Sequence, residues 1–298
     1  MRSNRRLRWV ALPGAAVLIL ALAGCSQQEL QGWLPTTPGT TNHVNDTIGL
    51  WVTSWIVLLA VGIITWALII WAVVVYRRRK NQTGLPVQLR YNMPIEIFYT
   101  IVPLFLVLGF FFFTARDQAN IEKPTANPDV TISVYGKRWA WDFNYMNTAD
   151  KSQSVYTQGI QAQQLGDGTV DESKLPVLYL PQGKTVKINL NSRDVIHSFW
   201  VVDFLYKKDM IPGKQNVMYF TPEKLGTFTG KCAELCGEYH SLMLFNVKVV
   251  SPADYQSYLD TLRAEGNVGD IGGSYDTNTN QPNNKAPVAE GAASTSSK

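Results

Sequence analysis

The chain has 298 residues, 46% of them hydrophobic and 17% charged, a charged fraction well below the ~25% of an average soluble protein. Arg2, Arg5, Arg6 and Arg8 account for the formal charge of +4; without them 23 basic residues face 23 acidic ones, so no basic face for nucleic acid is implied. Three cysteines exclude a disulfide-dense scaffold.

In chain order, the first element is an address. The four arginines precede an apolar run of sixteen residues, Trp9 to Gly24, shorter than the ~20 that cross a bilayer as a helix. A basic start, a short apolar run and small residues before a cut site read as a secretory signal peptide over 1–24. Leu22-Ala23-Gly24-Cys25 resembles the bacterial lipobox, which makes Cys25 the lipidated first residue of the mature chain. An exported tether rich in Ser, Gln, Thr, Pro and Gly follows over 25–47. His43, alone in that stretch, reads as a solvated residue rather than a ligand.

Residues 48–76 are apolar apart from Thr and Ser. Such a run makes about 43 Å of helix, more than the ~30 Å hydrocarbon core, so the span tilts or projects. A second run, 95–114, contains Pro103, which membrane helices tolerate where neighbours re-satisfy the backbone. The loop between them, 77–94, holds Arg77, Arg78, Arg79, Lys80 and Arg90 and no acid. The positive-inside rule makes it cytoplasmic, with both ends of the mature chain outside. The exported part is then mildly acidic, which suits a cationic partner. Glu96 is the only acid in either span. A carboxylate there favours the helix N-terminal dipole; it equally fits a proton path at membrane depth.

The exported domain is expected over 117–266. Val130, Ile132 and Val134, then Val186, Ile188 and Leu190, then Phe245, Val247 and Val249 alternate with other residues. Period-2 alternation broken by Pro/Gly turns predicts an all-β sandwich or barrel. Residues 147–175 read as a long surface loop suited to a partner contact. Ser251-Pro252-Ala253-Asp254 marks a helix start, with Tyr255, Tyr258, Leu259 and Leu262 as its apolar stripe and Gly266 as its stop. A disordered tail is expected over 267–298. No internal repeat is present.

Apart from Cys25, both cysteines lie in one run, Cys232-Ala233-Glu234-Leu235-Cys236-Gly237-Glu238-Tyr239-His240-Ser241-Leu242-Met243. A second imidazole, His197, stands 35 residues upstream of Cys232 at the end of a predicted strand. Four readings compete. A Cys232–Cys236 disulfide leaves His and Met unexplained. A structural zinc site on Cys232, Cys236, His240 and His197 does not need Met243. A blue-copper site leaves one Cys over. A two-copper centre uses every donor: bridging thiolates, one His per metal, and Met243 and a carbonyl near Glu234 to complete the shells. Soft donors favour copper, which puts that reading first and zinc second.

The same loop is similar to the dinuclear copper (CuA) loop of subunit 2 of haem–copper cytochrome c oxidases, in their bacterial lipoprotein form. Arg193-Asp194-Val195-Ile196-His197-Ser198-Phe199 resembles that family's upstream ligand strand, and Asp209-Met210-Ile211-Pro212-Gly213-Lys214 its Asp-x-Ile-Pro-Gly turn. The resemblance covers about 45–262. It implies an N-terminal two-helix transmembrane hairpin and an all-β cupredoxin-like sandwich or barrel. It implies His197, Cys232, Cys236, His240 and Met243 as copper ligands through side chains and Glu234 through its main-chain carbonyl. The Glu234 side chain would face a magnesium site shared with subunit 1.

Trp139 is implied as the residue that accepts electrons from cytochrome c, and Glu96 as the mouth of a proton channel into subunit 1. Lys137-Arg138 stand where the family commonly has His-Gln, and Ala140 replaces an aromatic. Two extra cations suggest a different cytochrome contact. The implied activity is the electron-transfer step of an aerobic terminal oxidase, with haem in the partner subunit only and oxygen reduction coupled to proton translocation. The implied partners are subunit 1, other oxidase subunits, membrane lipid and a cytochrome c. The lipobox suggests a membrane-held donor within a reductase–oxidase supercomplex. A quinol-oxidase subunit would lack the copper ligands, and a nitrous-oxide reductase would not need the hairpin. A membrane-tethered metal-binding or assembly protein is the competing class.

Overall fold

Ser26 caps the first short helix, α1 (Gln27–Leu30), accepting from the Glu29 amide while Glu29 reaches back to the Ser26 amide. The computed structural model describes residues 26–80, 82–85 and 88–271. The signal peptide, Cys25 and residues 272–298 lie outside the described residues. The chain divides into two units, Met1–Pro35 with Ile48–Val87, and Thr36–Thr47 with Gln88–Lys298.

In the first unit the indole of Trp51 donates to the Gly32 carbonyl at 2.9 Å. Gly32 has φ +66°, and a Cβ there would meet the Trp51 ring at 2.7 Å. Trp51 belongs to α2 (Val44–Val75), whose apolar side chains are mostly exposed. Ser54 and Thr65 bond back to the Leu50 and Val61 carbonyls, which satisfies their hydroxyls within the helix. A second long helix, α3 (Met93–Ile121), belongs to the second unit, starts at the Asn92 cap and runs through Pro103. Both helices are long and apolar enough to cross a membrane. Each outruns its apolar sequence segment: α2 begins at Val44 rather than 48, and α3 continues to Ile121 rather than 114.

The second unit holds ten strands in two five-stranded sheets. β1 (Val130–Lys137), β2 (Ala140–Met146), β3 (Val155–Gln158), β5 (Val186–Ser192) and β8 (Asn216–Phe220) form one sheet, in the order β3-β2-β1-β5-β8. β4 (Val177–Pro181), β6 (His197–Val201), β7 (Tyr206–Met210), β9 (Gly226–Cys232) and β10 (Leu244–Val250) form the other, in the order β4-β10-β9-β6-β7. β1 pairs parallel with β5, and β4 with β10; the other ladders are antiparallel. Ile132, Val134, Val186, Ile188, Leu190, Phe245 and Val247 are fully buried, so the alternation in the sequence does face a core between sheets. Phe245 lies over Gly230 in the facing strand, where a Cβ would stand 2.1 Å from its ring.

A final helix, α4 (Pro252–Ala264), is capped by Ser251 and buries Tyr255 and Leu262, as predicted.

Three expectations are corrected. The 147–175 stretch is not one loop; it contains β3, paired with β2. Residues 267–271 do not open a disordered tail. Asn267, Val268 and Gly269 bond along β3, and Ile271 exchanges hydrogen bonds with Asn144 at 3.1 Å. Buried Asn144 needs those partners, and its polarity concealed that its strand face is covered. Residues 36–43 are not a free tether. Thr41 bridges Pro222, Asn42 bonds Thr221, and Thr40 and Thr41 are buried. His43 is correspondingly docked rather than solvated, with Nε2 3.1 Å from the Tyr219 carbonyl.

Candidate metal centre

Strand pairing brings the distant donors together. Phe199 in β6 sits opposite Cys232 at the end of β9, which sets His197 beside Cys232. Beyond β9 the chain turns through Gly237, with φ +126°, and a single 3-10 turn at His240–Leu242. The Cys232 amide bonds the Met243 carbonyl at 3.0 Å and closes that loop.

Four donors form a row. His197 Nδ1 stands 3.8 Å from Cys232 Sγ, Cys232 Sγ 3.9 Å from Cys236 Sγ, and Cys236 Sγ 3.5 Å from His240 Nδ1. Met243 Sδ lies 3.8 Å from Cys236 Sγ, and the Glu234 carbonyl 3.2 Å from Cys232 Sγ. His197, both cysteines and Met243 are buried; Glu234 is exposed. All six groups named as copper ligands therefore share one site.

The sulfurs are far beyond the ~2.05 Å of a disulfide, and both cysteines are free. A fifth soft donor, Met243, is more than a four-coordinate zinc site uses. The donor set fits copper.

Asp194 orients His197. Its carboxylate lies 2.8 Å from His197 Nε2 and accepts the Val195 and Arg138 amides at 2.7 Å each. Held as the donor on Nε2, the neutral ring turns its Nδ1 lone pair to the sulfurs. Burial pushes His197 down, but Asp194 and the Cys232 thiol outweigh it and raise its pKa. Burial pushes Asp194 up, and the His197, Arg138 and Val195 hydrogen bonds bring it below its ordinary value. Cys232 is pulled well below the thiol range, first by the hydrogen bond from Cys236, while Cys236, holding that proton, is pushed up.

Trp141 supports the loop from the core, its indole donating to the Met243 carbonyl at 3.2 Å. Gly136 does so by its smallness; a Cβ there would stand 3.0 Å from the His197 ring. Asp194 stands three residues before His197, a sequence signal for an orienting carboxylate. Trp141 and Gly136 carry no such signal.

Trp139 is not in the strand with Trp141, Phe143 and Tyr145. Lys137 pairs with Ala140, so Arg138 and Trp139 form the β1–β2 hairpin tip. There Trp139 is half-buried, edge-on to Tyr239 at 4.8 Å and against Gly237 of the cysteine loop. Ile196, Leu235 and Tyr239 add exposed apolar surface on the loops that carry the ligands. Lys137 is not part of that surface. It is wholly buried, and Arg138 alone of the pair reaches solvent, close to Asp194. Glu96 is away from this cluster in sequence and caps α3, accepting from the Asn92 amide at 2.9 Å.

Two stacked sheets, a soft-donor cluster at one end of them and two long apolar helices before them define a membrane-anchored metal-binding β-sandwich. The chain belongs to the cytochrome c oxidase subunit 2 family. The family model for the periplasmic domain of cytochrome c oxidase subunit II matches residues 130–250. A probable cytochrome c oxidase subunit 2 of Streptomyces avermitilis is 42% identical over 290 residues, 90% of each chain. Cytochrome c oxidase subunit 2 of Mycobacterium tuberculosis is 33% identical over 87% of this chain and 82% of that one. The crystal structure of the periplasmic domain of subunit II of cytochrome oxidase from Bradyrhizobium japonicum is 29% identical, with TM-score 0.40, over 48% of this chain and 99% of that one.

Proposed function

We propose that this chain is the electron-accepting subunit of an aerobic terminal oxidase, taking electrons from cytochrome c and handing them to haem in subunit 1. Oxygen is reduced to water there, coupled to proton translocation. The observation that carries this reading is the row His197–Cys232–Cys236–His240, each donor within 3.9 Å of the next. Two coppers bound there supply one-electron exchange spread over both ions.

The residues do the rest. Cys232 and Cys236 would hold the metals through their two sulfurs, 3.9 Å apart. His197, fixed by Asp194, and His240 take the ends of the row. Met243 and the Glu234 carbonyl complete the set. These donors are anchored in strands and a loop closed by the Cys232–Met243 hydrogen bond, which would limit their rearrangement on electron exchange. Trp139 packs on the cysteine loop with part of its ring in solvent, which suits it to receive electrons from the cytochrome. The Glu234 side chain, exposed in this chain, shares a magnesium ion with subunit 1 in this proposal. Glu96 admits protons to subunit 1; an oxidase carrying Glu96→Ala with unchanged turnover and pumping removes that role.

The topology completes the proposal. Residues 1–24 are a signal peptide, Cys25 carries lipid, and the Arg-rich loop 77–94 faces the cytoplasm. The β domain then sits on the outer face, where a cytochrome c held in a reductase–oxidase supercomplex meets it. Mass spectrometry reads the N-terminus directly, and an intact Met1 end overturns the lipoprotein assignment.

The central test uses the full chain in detergent. Copper loading is expected to give two coppers per chain and a paramagnetic resonance spectrum of one unpaired electron shared by two copper nuclei. One zinc per chain with no copper uptake overturns the reading.

A further inference from the structure

Beside the ends of its long apolar segments the chain forms a cavity that no step above uses. It measures about 370 Å³ and lies within the second unit, in the size range of small-molecule sites. Asn42 and His43 line it from just before α2, Asn120 and Lys123 from the end of α3, and Thr185 and Thr221 from the sandwich. One wall is preformed. His43 Nε2 donates to the Tyr219 carbonyl at 3.1 Å, and the Asn42 side-chain oxygen accepts the Thr221 amide at 2.8 Å.

The charge around the cavity is one-sided. Among the described residues no acid lines it. The neighbouring acids are engaged or in solvent: Glu122 holds Tyr206 and Lys208, Asp129 holds the Thr185 amide and Lys184, Asp117 pairs with Arg116, and Asp46 is exposed. The last carbonyls of α3, those of Gln118 and Asn120, are taken by the Glu122 amide. Lys123 is exposed and has no ion-pair partner among the described residues. A free ammonium, amides and hydroxyls around a cavity without a carboxylate make a site for an oxyanion.

Position along the chain says where that anion comes from. The apolar segments begin at Ile48 and end at Thr114. His43 and Asn120 lie five and six residues outside them, about 8 and 9 Å at the helical rise. Lipid headgroups occupy about 5–8 Å on either side of the hydrocarbon core, so the cavity opens at their level. On the preceding turns of α3, Phe111, Phe112 and Phe113 are exposed, an apolar face that suits acyl chains.

We propose that this cavity seats the phosphate of an anionic phospholipid, with Lys123 as its cationic contact, Asn120, Thr185 and Thr221 as hydrogen-bond donors, and the acyl chains along α3. The inference rests on both long helices crossing the membrane.

Metal-free full chain in a neutral detergent is titrated with short-chain phosphatidylglycerol while the imidazole resonances of its three histidines are followed by NMR. The His43 resonance, assigned with His43→Gln, is expected to shift saturably, with His197 and His240 unmoved. Lys123→Gln is expected to weaken binding about fivefold, the worth of one lysine at an anionic membrane surface, and Lys123→Arg to bind as wild type does. A His43 resonance that stays in place, wild-type affinity in Lys123→Gln, or an equal response to phosphatidylcholine overturns the site. Saturation by inorganic phosphate at the same concentrations overturns the lipid as its source. Insertion of wild-type chain into phosphatidylcholine vesicles, which carry no net charge, reads the membrane assignment separately. A chain that stays out of them fails that assignment and removes the lipid with it, whatever the titration gives.

Discussion

At His197 one imidazole is held between a carboxylate and a thiol, and the carboxylate decides which nitrogen is left for a metal. Truncating it, Asp194→Ala, frees the ring to rotate and to choose either tautomer. Orienting partners of this kind are worth about 10–100-fold in metal affinity, so copper affinity is expected to fall by that much, read by competition with a chelator. The two groups also set a pH window for the metal-free site. Asp194 has a lowered pKa in the fold, so its contribution is complete above the unfolded value near ~3.9 and is lost as pH falls through the folded value. His197 has a raised pKa, so its contribution is complete below ~6.5 and is lost as pH rises through the folded value. Metal-free chain is therefore expected to be most stable between about pH 4 and 6.5 as far as this pair is concerned. Thermal midpoints of wild type and Asp194→Ala should differ most inside that window and converge outside it.

Among the elements, helix α4 and strands β1, β5 and β10 were legible because each carries its own signal. For α4 the signal is chemical. Ser251 Oγ accepts the Asp254 amide at 3.1 Å, and losing an N-cap hydroxyl costs about 1 kcal/mol. Ser251→Ala should lower the stability of the β domain by that amount in a denaturant titration. For β1, β5 and β10 the signal is alternation, which exists because one face meets the opposite sheet. β2 defeats that reading, since both its faces are covered: Trp141, Phe143 and Tyr145 enter the core while Asp142 and Asn144 are buried beneath polar partners. Trp139 shows why alternation misleads near a turn. An aromatic every second residue continues the pattern across the hairpin tip, where pairing with Lys137 has already turned the chain. β3 and residues 267–271 escaped notice because it is their own backbone groups that make the contacts, and these leave no trace in their side-chain chemistry.

For the molecule as a whole, the ligand loop was the most legible part, since two thiols, an imidazole and a thioether stand within one run of twelve residues. His197 became a partner only once β6 was paired with β9. The burial of Lys137 was not legible, because charges in a hairpin normally mean solvent. A ligand that binds only the folded chain stabilises it by about 4 kcal/mol at a thousandfold excess over its dissociation constant. Copper-loaded chain should accordingly melt well above metal-free chain, with the gap closing in Cys232→Ser. One further consequence follows from the docking of residues 36–43, whose partners include Thr221, 179 residues later. A ribosome finishes that segment long before it makes β8, so the segment has no seat while most of the chain is still being synthesised. Contacts this far apart in sequence form late. A product cut short before β8 carries Thr40 and Thr41 bare near its front end, an extended stretch open to proteases.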